Sequence, residues 1–401
     1  MSLKIDAVDL FYLSMPEVTD AADGSQDALL VRVAAGGHIG WGECEAAPLP
    51  SIAAFVCPKS HGVCRPVSDS VLGQRLDGPD DIARIAALVG YNSMDLLQAP
   101  HMLSGIEMAL WDLLGRRLSA PAWALLGYSA SHGKRPYASL LFGDTPQETL
   151  ERARAARRDG FAAVKFGWGP IGRGTVAADA DQIMAAREGL GPDGDLMVDV
   201  GQIFGEDVEA AAARLPTLDA AGVLWLEEPF DAGALAAHAA LAGRGARVRI
   251  AGGEAAHNFH MAQHLMDYGR IGFIQIDCGR IGGLGPAKRV ADAAQARGIT
   301  YVNHTFTSHL ALSASLQPFA GLEADRICEY PAAPQQLALD ITGDHIRPDA
   351  EGLIRAPEAP GLGLQVAASA LRRYLVETEI RIGGQLIYRT PQLEGHHHHH
   401  H

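Results

Sequence analysis

Eight short runs rich in β-branched and aromatic side chains recur between residues 136 and 329, and each but the last is followed by a helical pattern, often alanine-rich. The runs are Pro136–Leu141, Ala162–Phe166, Asp195–Val200, Val223–Leu226, Val248–Ala251, Phe273–Asp277, Thr300–Asn303 and Arg326–Glu329. Runs of this length and composition read as strands, and their alternation with helices implies a parallel sheet. The punctuation agrees: Thr145-Pro146-Gln147-Glu148 is a capping box with proline at the first helical position, and Gly160, Gly222 and Gly298 stand at helix stops. Eight such units predict a closed (β/α) barrel. An open doubly wound sheet is the competitor, but no GxGxxG opens the first βα turn.

Around this repeat the sequence divides into four parts. Residues 1–133 form an N-terminal α+β region with a strand at Ala28–Val33, a turn-rich stretch Gly36–Gly42 and an irregular, proline-punctuated stretch Ala46–Gly73 that reads as a long loop. Ile106, Ala109, Leu110, Leu113 and Leu114 form one apolar helical stripe. Residues 134–357 hold the repeat. Residues 358–393, with a helix expected over Gln365–Leu375 and two strand-like runs, are too few to stand alone and are expected to pack back on the N-terminal region. Residues 394–401, ending in six histidines, read as an expression tag.

The formal net charge of −14 argues against nucleic acid or anionic membrane as a partner. No apolar run has the length of a membrane span, and no signal peptide opens the chain. Cys44, Cys57, Cys64, Cys278 and Cys328 are few and scattered with no CxxC pair, so a reduced, cytoplasmic setting is expected rather than a disulfide framework or zinc site.

The chemistry lies at the strand ends. Asp199, Glu227, Glu254, Asp277, His304 and Glu329 follow one another at intervals of 23–28 residues, about one βα unit each, which places one polar group per strand at the carboxyl edge. Three converging carboxylates, Asp199, Glu227 and Glu254, repel one another without a cation, and oxygen-only ligands select Mg²⁺, with Mn²⁺ as a substitute. Asp277 beside His304 would fix the imidazole tautomer and leave the other nitrogen as a base. Lys165, among apolar strand residues, would face the barrel mouth and bind a carboxylate or enediolate oxygen. Glu228 should point to the opposite face from Glu227 and serve as a partner rather than a ligand, and His309 is read as structural. His257 would reach the pocket rim, and Lys59, His61, Arg65 and Asn303 are candidate substrate contacts.

These residues resemble the enolase superfamily, in particular the mandelate racemase subgroup of acid-sugar dehydratases and racemases. The resemblance is carried by Ser104–Gly115, by Trp225-Leu226-Glu227-Glu228-Pro229, Gly253-Glu254, Asp277-Cys278-Gly279-Arg280-Ile281-Gly282-Gly283, Asn303-His304-Thr305-Phe306 and Glu329-Tyr330-Pro331. It implies a (β/α)₇β modified TIM barrel under an N-terminal α+β capping domain completed by the C-terminal segment. It further implies an acid-sugar substrate, homo-oligomeric assembly, substrate-reading loops at about Pro16–Gln26 and Ala46–Gly73, and a Glu329 that hydrogen-bonds the developing enediolate. Two positions depart from the pattern. Lys165-Phe166-Gly167 stands where the family commonly has Lys-x-Lys, and Asp199-Val200-Gly201 where it has Asp-x-Asn. With one base missing, dehydration by His304 as both base and acid is the leading expectation. Racemisation, epimerisation or lactone cycloisomerisation using Lys165, and a non-catalytic metal-binding protein, are the alternatives.

Overall fold

The computed structural model describes residues 2–19, 26–305 and 307–394. Three antiparallel strands, β1 (Ile5–Ser14), β2 (Asp27–Ala35) and β3 (His38–Cys44), form the first sheet. The glycine-rich stretch that reads as a turn is mostly strand β3, the turn itself being confined to Gly36 and Gly37. Gly40 and Gly42 lie within β3 because a helix crosses it in backbone contact, and a side chain at either position would strike Ala109 or Gly105. That helix is α3 (Ala99–Leu118), preceded by α1 (Pro48–Val56) and α2 (Pro79–Asn92). All five residues of the expected stripe on α3 are fully buried.

Helix α1 replaces part of the expected long loop. Pro48 and Pro50 sit in its first turn, where a missing N–H costs nothing, and Ile52 and Phe55 supply the buried face that the prolines masked in the sequence.

The eight repeats form β4 (Arg135–Leu141), β5 (Ala163–Gly167), β6 (Asp195–Asp199), β7 (Val223–Glu227), β8 (Arg249–Gly252), β9 (Phe273–Ile276), β10 (Thr300–Asn303) and β11 (Ile327–Tyr330), each within one residue of its expected bounds. They make one parallel sheet, ordered β10-β9-β8-β7-β6-β5-β4-β11. Tyr137, Ala163, Met197, Trp225, Ala251, Phe273 and Val302, one from each of seven strands, fill the interior as a separate apolar cluster. Side chains alternate along a strand, so residues two further on face the carboxyl-terminal mouth. That rule carries Ala163 to Lys165 and Gly167, Met197 to Asp199, Trp225 to Glu227, and Val302 to His304.

The last segment runs back over the first sheet, with Val376 N–H donating to Tyr12 carbonyl (2.8 Å) and Tyr388 hydroxyl to Leu10 carbonyl (2.6 Å). Its expected α-helix is a 3₁₀ helix, Ala368–Tyr374, of which Leu371 and Tyr374 are the buried contacts. The two strand-like runs form a hairpin, β12 (Glu379–Ile382) with β13 (Gln385–Arg389). Among the described residues no helix is long and apolar enough to cross a membrane.

Candidate active site

Three adjacent strands, β6, β7 and β8, bring Asp199, Glu227 and Glu254 to the mouth with one oxygen of each within 4.8 Å of the others. The donors are all hard oxygens, the spacing suits a single ion, and burial together with the Glu227 charge pushes the Asp199 carboxyl well above the usual range. A divalent cation of the Mg²⁺ type fits that donor set, because it would offset this repulsion. Glu227 is further held by Gln275 Nε2 (2.7 Å), Trp225 Nε1 (3.2 Å) and Lys165 Nζ (2.9 Å).

Asp277 Oδ2 lies 2.6 Å from His304 Nδ1, and His304 Nε2 reaches Glu254 Oε2 at 3.1 Å. The imidazole therefore has one nitrogen on its partner aspartate and the other directed at the carboxylate cluster. Burial opposes charging of this ring, but Glu254 and Asp277 outweigh it and hold its pKa well above the ordinary imidazole value. In turn, burial would raise Glu254, yet the nearby His304 and Arg280 hold it well below the usual carboxylate range.

Lys165 is almost fully enclosed. Its Nζ donates to Glu227 and to Glu329 Oε2 (2.9 Å) and stands 3.9 Å from Asp199 Oδ2. Burial opposes its charge, and the flanking Glu227 and Glu329 raise its pKa well above the usual lysine value. Glu329 also accepts from Tyr137 hydroxyl (3.0 Å) and, through Oε1, from Thr305 N–H (2.8 Å), while burial raises its own pKa.

Asn303, expected to touch substrate, is fully enclosed and has another role. Strands β10 and β11 stand at the two ends of the ladder-bonded sheet order. The Asn303 amide spans them, accepting from Glu329 N–H (2.7 Å) and donating to Glu329 carbonyl (3.2 Å). One side chain thus substitutes for missing ladder bonds and fixes Glu329.

Glu228 also differs from expectation. Strand alternation no longer applies to it, because β7 ends at Glu227 and Glu228 adopts a left-handed φ of 49°. Its side chain turns back to Glu254 and Gln202, and burial followed by the Glu254 charge raises its pKa. The expected role of partner rather than ligand is compatible with these contacts.

From the capping side, Glu45 accepts from Arg280 Nε (2.7 Å), and Arg280 Nη1 also reaches the Glu254 carbonyl (3.2 Å). Glu43, Glu45, Asp277, His304, Thr305 and Thr307 line a narrow cavity between the two layers. The loop residues lie apart from this cluster in their contacts. His61 pairs with Asp95 and Ser60, Arg65 donates to Gly62 carbonyl, and Lys59 is exposed. His257 is exposed with its ring 5.3 Å from His101, and His309 accepts from Ile346 N–H and stacks on His345. Of the expected loop Pro16–Gln26, residues 20–25 lie outside the described residues, as does Phe306. Tyr137, Gln275, Glu45 and Arg280 were not among the expected site residues. Tyr137 and Gln275 carry a usable signal, since each is a polar group in the inward phase of a barrel strand.

Residues 148–370 match the family model described as enolase C-terminal domain-like, and residues 17–127 match the mandelate racemase / muconate lactonizing enzyme N-terminal domain. The chain belongs to the enolase superfamily, in its mandelate racemase subgroup. Similar enolase-superfamily proteins include D-galactarolactone cycloisomerase of Agrobacterium fabrum, 29% identical over 84% of this chain and 88% of the relative. L-talarate/galactarate dehydratase of Salmonella typhimurium is 31% identical over 63% of each protein. A solved enolase-superfamily structure from Polaromonas sp. JS666 superposes with a TM-score of 0.79 at 27% identity, covering 92% of this chain and 97% of the other.

Proposed function

We propose that this enzyme dehydrates an acid sugar to a 2-keto-3-deoxy acid, with His304 as base and then acid. The observation that carries the reading is the asymmetry of the site: an Asp277–His304 dyad aimed at the carboxylate cluster, and glycine at the inward-facing position 167 across the barrel. Mg²⁺ bound by Asp199, Glu227 and Glu254 would supply Lewis-acid stabilisation of charge on the substrate carboxylate. His304 Nε2 takes the proton from the α-carbon, and Asp277 holds the charged ring in place. Lys165 and Glu329 face the oxygen that gains charge. The β-carbon–oxygen bond then breaks, His304 returns the proton to the departing hydroxyl, and water leaves. The enol product tautomerises to the 2-keto acid.

Lactone cycloisomerisation is the second reading, favoured by the similarity to D-galactarolactone cycloisomerase. Lys165 is the less suited base, because its Nζ is almost fully enclosed and already donates to Glu227 and Glu329. The test is a stereochemically complete set of mono- and diacid sugars and their lactones with Mg²⁺, with 2-keto product and lactone loss detected separately. His304→Asn should lower dehydration by about 10²–10⁴-fold with Mg²⁺ binding retained. Lactone consumption without 2-keto product would reject dehydration in favour of the second reading.

A further inference from the structure

The wall opposite the dyad carries a feature that the reaction as described does not use. In the sheet order, β6 lies four strands from β10, so Asp199 and His304 face each other across the mouth. On the Asp199 side, inward position 167 and the position two beyond the ligand, 201, are both glycine. The bulky side chain there is Trp168. Its backbone is left-handed, with φ 58°, a conformation that bulky residues rarely adopt. The turn is held by Trp168 N–H on Asp199 carbonyl (3.3 Å) and by Ile171 N–H on Trp168 carbonyl (3.4 Å). The benzo edge of the indole lies on Gly201, where a Cβ would stand 2.6–2.8 Å from three ring carbons. Gly201 N–H in turn donates to Asp199 Oδ1 (2.9 Å). The ring is therefore one residue removed from a metal ligand, yet it is 47% exposed, whereas Trp111, Trp123 and Trp225 are buried.

Left-handed non-glycine residues also follow the next two strands, at Gln202 and Glu228. Backbone strain of this kind gathers at functional sites, where the surrounding structure must hold it. Here it leaves the indole half exposed beside Gly201 instead of folded into the interior. Glycine at 201 is what admits the ring.

We propose that Trp168 is a specificity residue: its indole is the platform on which the carbon chain of a polyol acid packs once the carboxylate occupies the cation site. This rests on the acid-sugar reading above. A sugar chain presents C–H groups on one side and hydroxyls on the other, and an exposed indole matches the C–H side while leaving the hydroxyls solvated. A two-carbon hydroxy acid has no such chain and cannot use the platform.

The test is titration calorimetry of Mg²⁺-loaded protein in a His304→Asn background, so that bound acids are not consumed. The probes are glycolate and a stereoisomer panel of hexaric and hexonic acids. The expected result is that Trp168→Ala weakens the bound polyol acid about tenfold or more and glycolate less than about twofold, while Trp168→Phe stays within about threefold. Gly201→Asn, which fills the space under the ring, should reproduce Trp168→Ala and covers the case in which that variant folds poorly. Equal weakening of glycolate and the polyol acid, or weakening of neither, overturns the platform. If glycolate binds and no polyol acid does, the acid-sugar reading itself fails, and the platform with it.

Discussion

The two walls of the barrel mouth are built on opposite plans. The β9–β10 wall is dense with functional groups: Asp277, His304 and Thr305 are all buried, Asp277 is bonded to His304 and Thr305 N–H to Glu329, and Arg280 ties Asp277 to the capping layer. The β5–β6 wall carries Lys165 and Asp199 deeper in the mouth, but two residues beyond each it ends in Gly167 and Gly201, with one half-exposed indole beside them. Both walls rest on the same interior apolar cluster. On the proposed mechanism, the difference means that a shared scaffold places proton transfer on one side and leaves the other to shape, which suits a reaction needing one base.

The largest effect should come from the reactive wall. Asp277→Asn leaves a hydrogen-bonding group but removes the charge that steadies protonated His304, so kcat should fall by about 10²–10⁴-fold with little change in Mg²⁺ affinity, read by steady-state kinetics and metal titration. A fall of less than about tenfold would remove the asymmetry on which the comparison rests. Restoring a base to the bare wall is the converse experiment. A Cβ at position 167 would stand 3.0 Å from Asp199 Cβ and face inward, so Gly167→Lys should add α-deuterium incorporation in D₂O from the face opposite His304. The expected exchange is slower than turnover and is read by NMR of recovered substrate. Its absence in a folded, Mg²⁺-binding variant would mean that this wall cannot deliver a base.

Smaller effects concern the supports behind the reactive wall. Asn303→Ala removes both bonds to the Glu329 backbone and should cost about 1–3 kcal/mol of stability by denaturant unfolding. Smaller again is a change of slope with pH. Glu107 on α3 accepts from Leu284 and Gly285 N–H at the start of helix Leu284–Ala296, which follows the dyad aspartate. Burial raises its pKa from 4.5 to about 7. A raised folded pKa means that this contribution to stability is complete below about pH 4.5 and is lost as pH rises through about 7. Glu107→Gln should therefore unfold with a flatter pH dependence than the native chain across that window, whatever its absolute stability. Parallel profiles would refute the assignment.

Much of this was legible in the sequence because it depends on periodicity. Strand bounds, the inward phase of Asp199, Glu227 and His304, and the buried stripe of α3 all follow from side-chain alternation or helical spacing. What failed did so where a local rule stopped. Glu228 left the strand register at a left-handed turn, and the prolines that suggested a loop at 48–50 were first-turn residues of α1. Asn303, a candidate substrate contact in the sequence, bonds the Glu329 backbone instead. Its bonding to Glu329 depends on which two strands stand at the ends of the sheet, which no local pattern encodes. The placement of Trp168 over Gly201 likewise joins two loops 33 residues apart.

The Asn303 bridge has a consequence for assembly. Asp199, Glu227 and Glu254 lie on or just beyond neighbouring ladder-bonded strands away from that join, so the proposed cation site draws no ligand from the two strands that meet there. His304 and Glu329 lie on either side of the join and come into register only when it shuts. If these carboxylates hold the cation as proposed, cation loading and completion of the His304–Glu329 pair would be separable events.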